Sequence, residues 1–166
     1  MKYITAAYVK LLVCTLGWCG AFIVPPLIAF SGSIPTVAGF FYSFFSLICH
    51  QYDTHSLHVF GYKLAVCARC SAIYFGFLFG VLVFPFFRFK ETEHQRTVWI
   101  IAVTPMLIDV GLSFIGVHES DPLTRLVSGS FFGVVAAKML VPLLIPFLTT
   151  KKFSINFYEV LCEPKT

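Results

Sequence analysis

Three cysteines, a histidine and an arginine stand close together in a sequence that is otherwise largely apolar. They are Cys49-His50-Gln51 and, after a short polar loop, Cys67-Ala68-Arg69-Cys70. Thiolates are soft metal ligands and strong nucleophiles, so the group invites three readings. Cys67 and Cys70 fall three residues apart where a helix is expected to begin, which puts both sulfurs on one face. The unpaired N–H groups and positive dipole end of such a helix favour a thiolate, and Arg69 adds positive charge. The leading reading is a metal site. Cys49, His50, Cys67 and Cys70 form a Cys₃His set suited to tetrahedral zinc, with iron as the other candidate. Adjacent residues do not easily ligate one ion, so His55 or His58 is an alternative fourth ligand to His50. An open fourth position would point to catalysis rather than structure. The second reading is thiol–disulfide exchange coupled to a quinone through a mixed disulfide. Against it, Cys14 and Cys19 lie inside the first apolar stretch and Cys162 in the tail, so no second exposed pair is evident. The third is a clasp that staples the loop to the rest of the chain.

A carboxylate inside an apolar stretch is itself a functional signal. Asp109 shares a helical face with Pro105, Ser113 and Gly116. Arg125 opens the last apolar stretch, with Gly129 and Gly133 below it, and Gly76 with Gly80 makes a second small-xxx-small pair. Such pairs let helices approach closely. The expected packing turns Asp109, Arg125 and Arg69 inward beneath the cysteines. They then form either a structural ion pair or a catalytic set, in which Asp109 handles protons and Arg69 and Arg125 hold an anionic group. Lys138 points away from the glycine face and is not assigned to the site.

These residues must be positioned by membrane helices. Of 166 residues, 58% are hydrophobic, 20 are phenylalanine and only 12% are charged, with a mean hydropathy of +0.85. A spanning helix needs roughly 20 apolar residues, and four stretches qualify, about 4–30, 67–87, 98–117 and 123–147. The runs are continuous rather than alternating, which selects helices over a barrel. The expected fold is therefore an all-α integral membrane protein in a single domain, residues 1–150, with a tail over 151–166. Residues 37–48 are too few to cross and suit a re-entrant or interfacial half-helix. Pro25-Pro26 should end or bend the first span, Pro142 and Pro146 should bend the fourth, and Asp121-Pro122 reads as a helix start. The first span lacks a small-residue cleavage site and is kept as a span rather than a signal peptide. Gln51 to Lys63 reads as a polar loop.

Lys2, Lys10, Arg88, Lys90, Arg96, Lys151, Lys152 and Lys165 gather on one side, against Lys63, Arg69 and Arg125 on the other. With four spans in the cell membrane, both termini are expected in the cytoplasm and the Cys/His site outside it, where disulfides are permitted. His94, Glu91 and Glu93 fall in a cytoplasmic loop. No basic run interleaves with aromatics, so nucleic acid is not an expected partner. The bilayer is, along with a small-molecule or lipid substrate, and the glycine faces admit a homodimer. The absence of a His-Glu-x-x-His, a phosphate-binding glycine loop or a Ser-His-Asp order weighs against ordinary hydrolase and nucleotide chemistry. A small transporter or lipid-handling protein is the non-enzymatic alternative.

The chain resembles a family of prokaryotic membrane proteins, domain of unknown function family 2085. The resemblance rests on Cys49-His50-Gln51, on Val66-Cys67-Ala68-Arg69-Cys70 followed by Ile73-Tyr74 and Gly76, and on Asp109, Arg125 and Gly129. It spans roughly Phe44 to Ala136. His55-Ser56-Leu57 stands where the family tends to carry Arg-Ser-Phe, and Ser71-Ala72 where Thr-Gly is usual. The resemblance implies a small helical membrane protein and brings no activity with it.

Overall fold

Apolar runs in lipid must satisfy their own backbone groups, and here they do so as helices. The computed structural model describes residues 2–32, 35–51, 56–86, 95–115 and 121–149. In chain order the elements are α1 (Lys2–Ser31), α2 (Pro35–Ser46), β1 (Ser56–Val59), β2 (Tyr62–Cys67), α3 (Ala68–Val83) with a 3₁₀ turn at Phe84–Phe86, α4 (Gln95–Phe114) and α5 (Pro122–Thr149). Three stretches are long and apolar enough to cross a membrane: Ala6–Ser31, Ala68–Phe86 and Leu123–Ile145. The remaining expected span, 98–117, is occupied by α4, whose apolar stretch, Thr97–Gly111, is shorter than a span. His55, Asp53, His94, Glu91, Glu93, Cys162 and the tail lie outside the described residues.

The centre of the molecule is a seam between α3 and α5. A methyl group on Gly133 would collide with the Ile73 carbonyl oxygen and sit 2.8 Å from the Phe77 nitrogen. One on Gly76 would collide with the Ser130 carbonyl oxygen, one on Gly80 would sit 2.5 Å from the Ala137 Cβ, and one on Gly129 2.8 Å from the Arg69 carbonyl oxygen. Backbone thus lies on backbone, which glycine alone permits. Residues 69–72 face 129 and residue 80 faces 134–137, so the two helices run parallel. α1 runs the other way, because its Tyr8 hydroxyl donates to the Val81 carbonyl at 3.0 Å while Phe22 stacks near Tyr74 and Phe75. α4 joins through Arg69–Asp109 and a Trp99–Phe132 ring contact at 6.2 Å. Asp121 precedes Pro122 at the first turn of α5, and its carbonyl accepts from the Arg125 N–H at 3.2 Å.

One sequence expectation is narrowed and one corrected. Of the two outcomes expected at Pro25-Pro26, an end or a bend, α1 does not show an end. Both prolines are fully buried within it and the helix continues to Ser31, since a packed bundle tolerates the carbonyls they leave without an N–H. The supposed polar loop is partly a β-hairpin, in which His58 faces Lys63, Val59 faces Tyr62 and Ser56 faces Cys67, with an irregularity between Ser56 and His58. Its turn residues, Phe60 and Gly61, have φ of 53° and 82°, the left-handed pair that matches strand twist in a two-residue turn. Phe60 is held there by stacking on Phe30 of α1, with ring centroids 4.8 Å apart. Leu64, Ala65 and Val66 are buried, and the last two share a core with Cys19, Phe22, Phe45 and Cys49.

Candidate functional site

Each cysteine of the expected cluster arrives on a different piece of backbone. Cys49 follows the last turn of α2, where its N–H donates to the Phe45 carbonyl at 2.9 Å. Cys67 ends β2 and is also the N-cap of α3, with φ −68° and ψ 163°. Cys70 sits in the first turn of α3. The three sulfurs lie within 4.8 Å of one another. All three are free thiols, Cys49 buried and the others half-buried. The Cys67 N–H points at the Cys49 sulfur, 3.2 Å away. Hydrogen bonds from the Cys67 thiol and then from the Cys70 thiol pull the Cys49 pKa well below the ordinary thiol range, against the opposing pull of burial. Ser71, fully buried, donates to the Cys67 carbonyl at 3.0 Å and steadies the turn.

The structure does not place every expected ligand in this group. His50 is exposed and lies outside the sulfur trio, and so does His58, which is exposed on β1. The third member of Cys49-His50-Gln51 has a clearer position. Gln51 adopts φ 49°, and its amide Nε2 donates to the Tyr42 and Ala65 carbonyls, both at 2.8 Å. It straps α2 to β2, two residues before Cys67. Tyr42 closes the same strap by donating its hydroxyl to the Lys63 carbonyl at 2.5 Å, and the Lys63 ammonium donates to the Gln51 carbonyl at 3.4 Å. Sequence reasoning gave Gln51, Tyr42 and Lys63 no role in holding the cysteines in place. The two short runs either side of Phe60-Gly61 were the available signal for the hairpin that positions Lys63.

Beneath the sulfurs, Arg69 of α3 forms an ion pair with Asp109 of α4, both side chains mostly buried. The Arg69 Nε is buried with no hydrogen-bond partner among the described residues. Arg125 is 6% exposed and lies one turn before Gly129, which packs on the Arg69 backbone. Two guanidiniums and one carboxylate are thereby held near the starts of two parallel helices.

Residues 49–139 match the family described as predicted membrane protein, DUF2085. The chain belongs to this family. The matched stretch opens on Cys49 and contains Cys67, Arg69, Cys70, Asp109 and Arg125, while α1 and α2 lie before it. An uncharacterised protein of Methanocaldococcus jannaschii is 36% identical over 112 residues, covering 66% of this chain and 72% of its own. Another uncharacterised protein, from Methanothermobacter thermautotrophicus, is 29% identical over 94 residues, or 54% of this chain and 81% of its own. No solved structure matches the chain. The family, like the composition, places the protein in a membrane.

Proposed function

We propose that Cys49, Cys67 and Cys70 hold a thiophilic metal ion, zinc by their donor chemistry, at the edge of the membrane domain. The observation that carries this reading is the mutual approach of the three sulfurs to within 4.8 Å. Tetrahedral zinc with Zn–S bonds of about 2.3 Å needs sulfurs about 3.8 Å apart, a gap that small side-chain rotations close. The N–H donated to the Cys49 sulfur fits too, because thiolate ligands are commonly oriented and tuned by such outer contacts. The three cysteines tie the exit of α2, the end of the hairpin and the start of α3 into one knot. A bound ion would act as a Lewis acid on whatever fills its fourth position. That position is left to a donor from outside the trio. Arg69 and Arg125 would hold an anionic group beside it, and Asp109 fixes Arg69 in place for that task.

The same reading includes four crossings. α3 and α5 run parallel, so if both cross, the chain between them must return across the membrane, and α4 is the segment available to do it. The lysine and arginine distribution then puts both termini in the cytoplasm and the cysteine trio outside.

Elemental analysis of purified protein, with free thiols counted on the same sample, tests the proposal. About one zinc per chain, lost in Cys67→Ser and Cys70→Ser, is the expected result. No metal, with two thiols missing until a reductant is added, would overturn it in favour of a disulfide.

A further inference from the structure

Cys67 at the cap of α3, then Cys70 and Tyr74 within it, follow one another at helical spacing and share one face. Side chains on a helix lean toward its N-terminus. The half-buried Tyr74 ring therefore reaches back over the turn that carries Cys70. Cys67, Cys70 and Tyr74 all pack on the buried group that contains Cys49, Phe22 and Phe45. The phenol lies within electrostatic reach of the three cysteines, of Cys70 most strongly.

α1 and α2 hold the ring in this place. It stands edge to face with Trp18 at 5.8 Å and lies 5.7 Å from Phe22. Trp18 and Phe22 in turn meet Phe45 at 5.5 Å and 6.2 Å, and the Phe45 carbonyl accepts the Cys49 N–H. The aromatic layer is thus joined to the sulfur cluster through both α2 and α3. On these four rings the polar groups are the Tyr74 hydroxyl and the Trp18 indole N–H. The indole N–H faces the Tyr74 oxygen, which leaves the hydroxyl proton to be given away. That hydroxyl donates no hydrogen bond among the described residues.

We propose that Tyr74 is the hydrogen-bond donor to a small anion in the fourth position of the metal site. The inference rests on the metal reading and adds the class of ligand to it. With its oxygen turned to the indole, the phenol offers a donor, so its partner must be an acceptor: an anion rather than an amine. The size follows from enclosure, since Cys49 is buried and Cys67 and Cys70 are half-buried. Contacts of this kind from outside the ligand set orient and tune what a metal holds.

The test uses the full chain in detergent, loaded with cobalt(II), whose absorption bands report its coordination, and titrated with azide. Wild type should take up about one cobalt per chain and shift its bands with azide. Tyr74→Phe removes the hydroxyl and keeps the ring. It should keep cobalt content and melting temperature and weaken azide binding about tenfold, the size of one charge-assisted hydrogen bond. A tyrosine with only a structural role would do the reverse, losing stability or metal at unchanged azide affinity. If Tyr74→Phe loads poorly, 3-fluorotyrosine at position 74, a stronger donor of nearly the same size, should tighten azide binding several-fold. Azide affinity equal to that of wild type in the variant that loads, or no response to azide in cobalt-loaded wild type, would overturn this inference and leave the metal reading standing. Wild type that takes up no cobalt would overturn both.

Discussion

The α3–α5 seam and the cap formed by α2 and the hairpin are held together by opposite means. The seam is made by what is missing. Four glycines bring backbone against backbone, and no polar side chain is required along it. The cap is made by particular atoms: one glutamine amide on two carbonyls, one tyrosine hydroxyl on a third, and three sulfurs in a cluster. Lipid explains the difference. Between spans there is no hydrophobic gain from leaving water, so close packing must supply the attraction. At the membrane edge, buried polar groups are costly unless paired, so the chain meets its needs one bond at a time. The seam should therefore fail in an all-or-none way and the cap by degrees.

The largest effect should come from Gly133→Leu. Ordinary overpacking costs roughly 1–3 kcal/mol. Here the added carbon meets the Ile73 carbonyl and the Phe77 nitrogen, and backbone cannot rotate aside. The expected outcome is loss of monodisperse folded protein on size-exclusion chromatography in detergent; a normal profile and melting temperature would refute the backbone-contact account of the seam.

Asp109→Ala comes next. It strands Arg69 in the bundle, and breaking such a pair costs about 3–5 kcal/mol. Thermal unfolding of the single variant and of Asp109→Leu with Arg69→Leu separates the pair's two roles. The double change should restore most of the stability while leaving any activity lost. If the double variant is no more stable than the single one, the buried charge is not the source of the loss.

Gln51→Ala probes the cap. Two carbonyls lose their donor, at about 1–3 kcal/mol for a buried group left unpaired. Hydrogen exchange should rise at Ala65 and its neighbours and stay unchanged along α5. A rise along both would show that the cap and seam are not separable.

The smallest expected effect is that of Gly61→Ala, about 1 kcal/mol for placing a side chain at φ 82°. It should loosen the hairpin turn and lower the melting temperature by a few degrees. No change, or a gain, would mean that the turn readily adopts another form.

The parts of this fold visible in the sequence are those that lipid dictates. α1, α3 and α5 follow from uninterrupted apolar runs, and Gly76, Gly80, Gly129 and Gly133 signal the seam by spacing alone. The cysteine cluster was legible because thiols have no reason to gather in a span. The hairpin was not, because Leu64-Ala65-Val66 is buried without alternation. A strand covered on both faces reads as the approach to the helix that follows it. A groove between α2 and the hairpin was illegible for a different reason. Among the described residues it is lined by Tyr42, Gln51, His58, Gly61, Tyr62 and Lys63, from α2, the link after it and the hairpin, and only folding assembles them. His50, next to Cys49 in sequence, is exposed and lies outside the sulfur trio.

Cys67 is at once the last residue of β2 and the cap of α3. No linker separates the strand from the helix, so the joint has no slack in which a displacement could be absorbed. α3 is in turn locked to α5 along the glycine seam. Any tilt of the hairpin must therefore strain the sulfur cluster or move two helices as one rigid lever. The polar end of this protein is mechanically continuous with its interior, and a ligand pressing on the hairpin would be felt throughout the bundle.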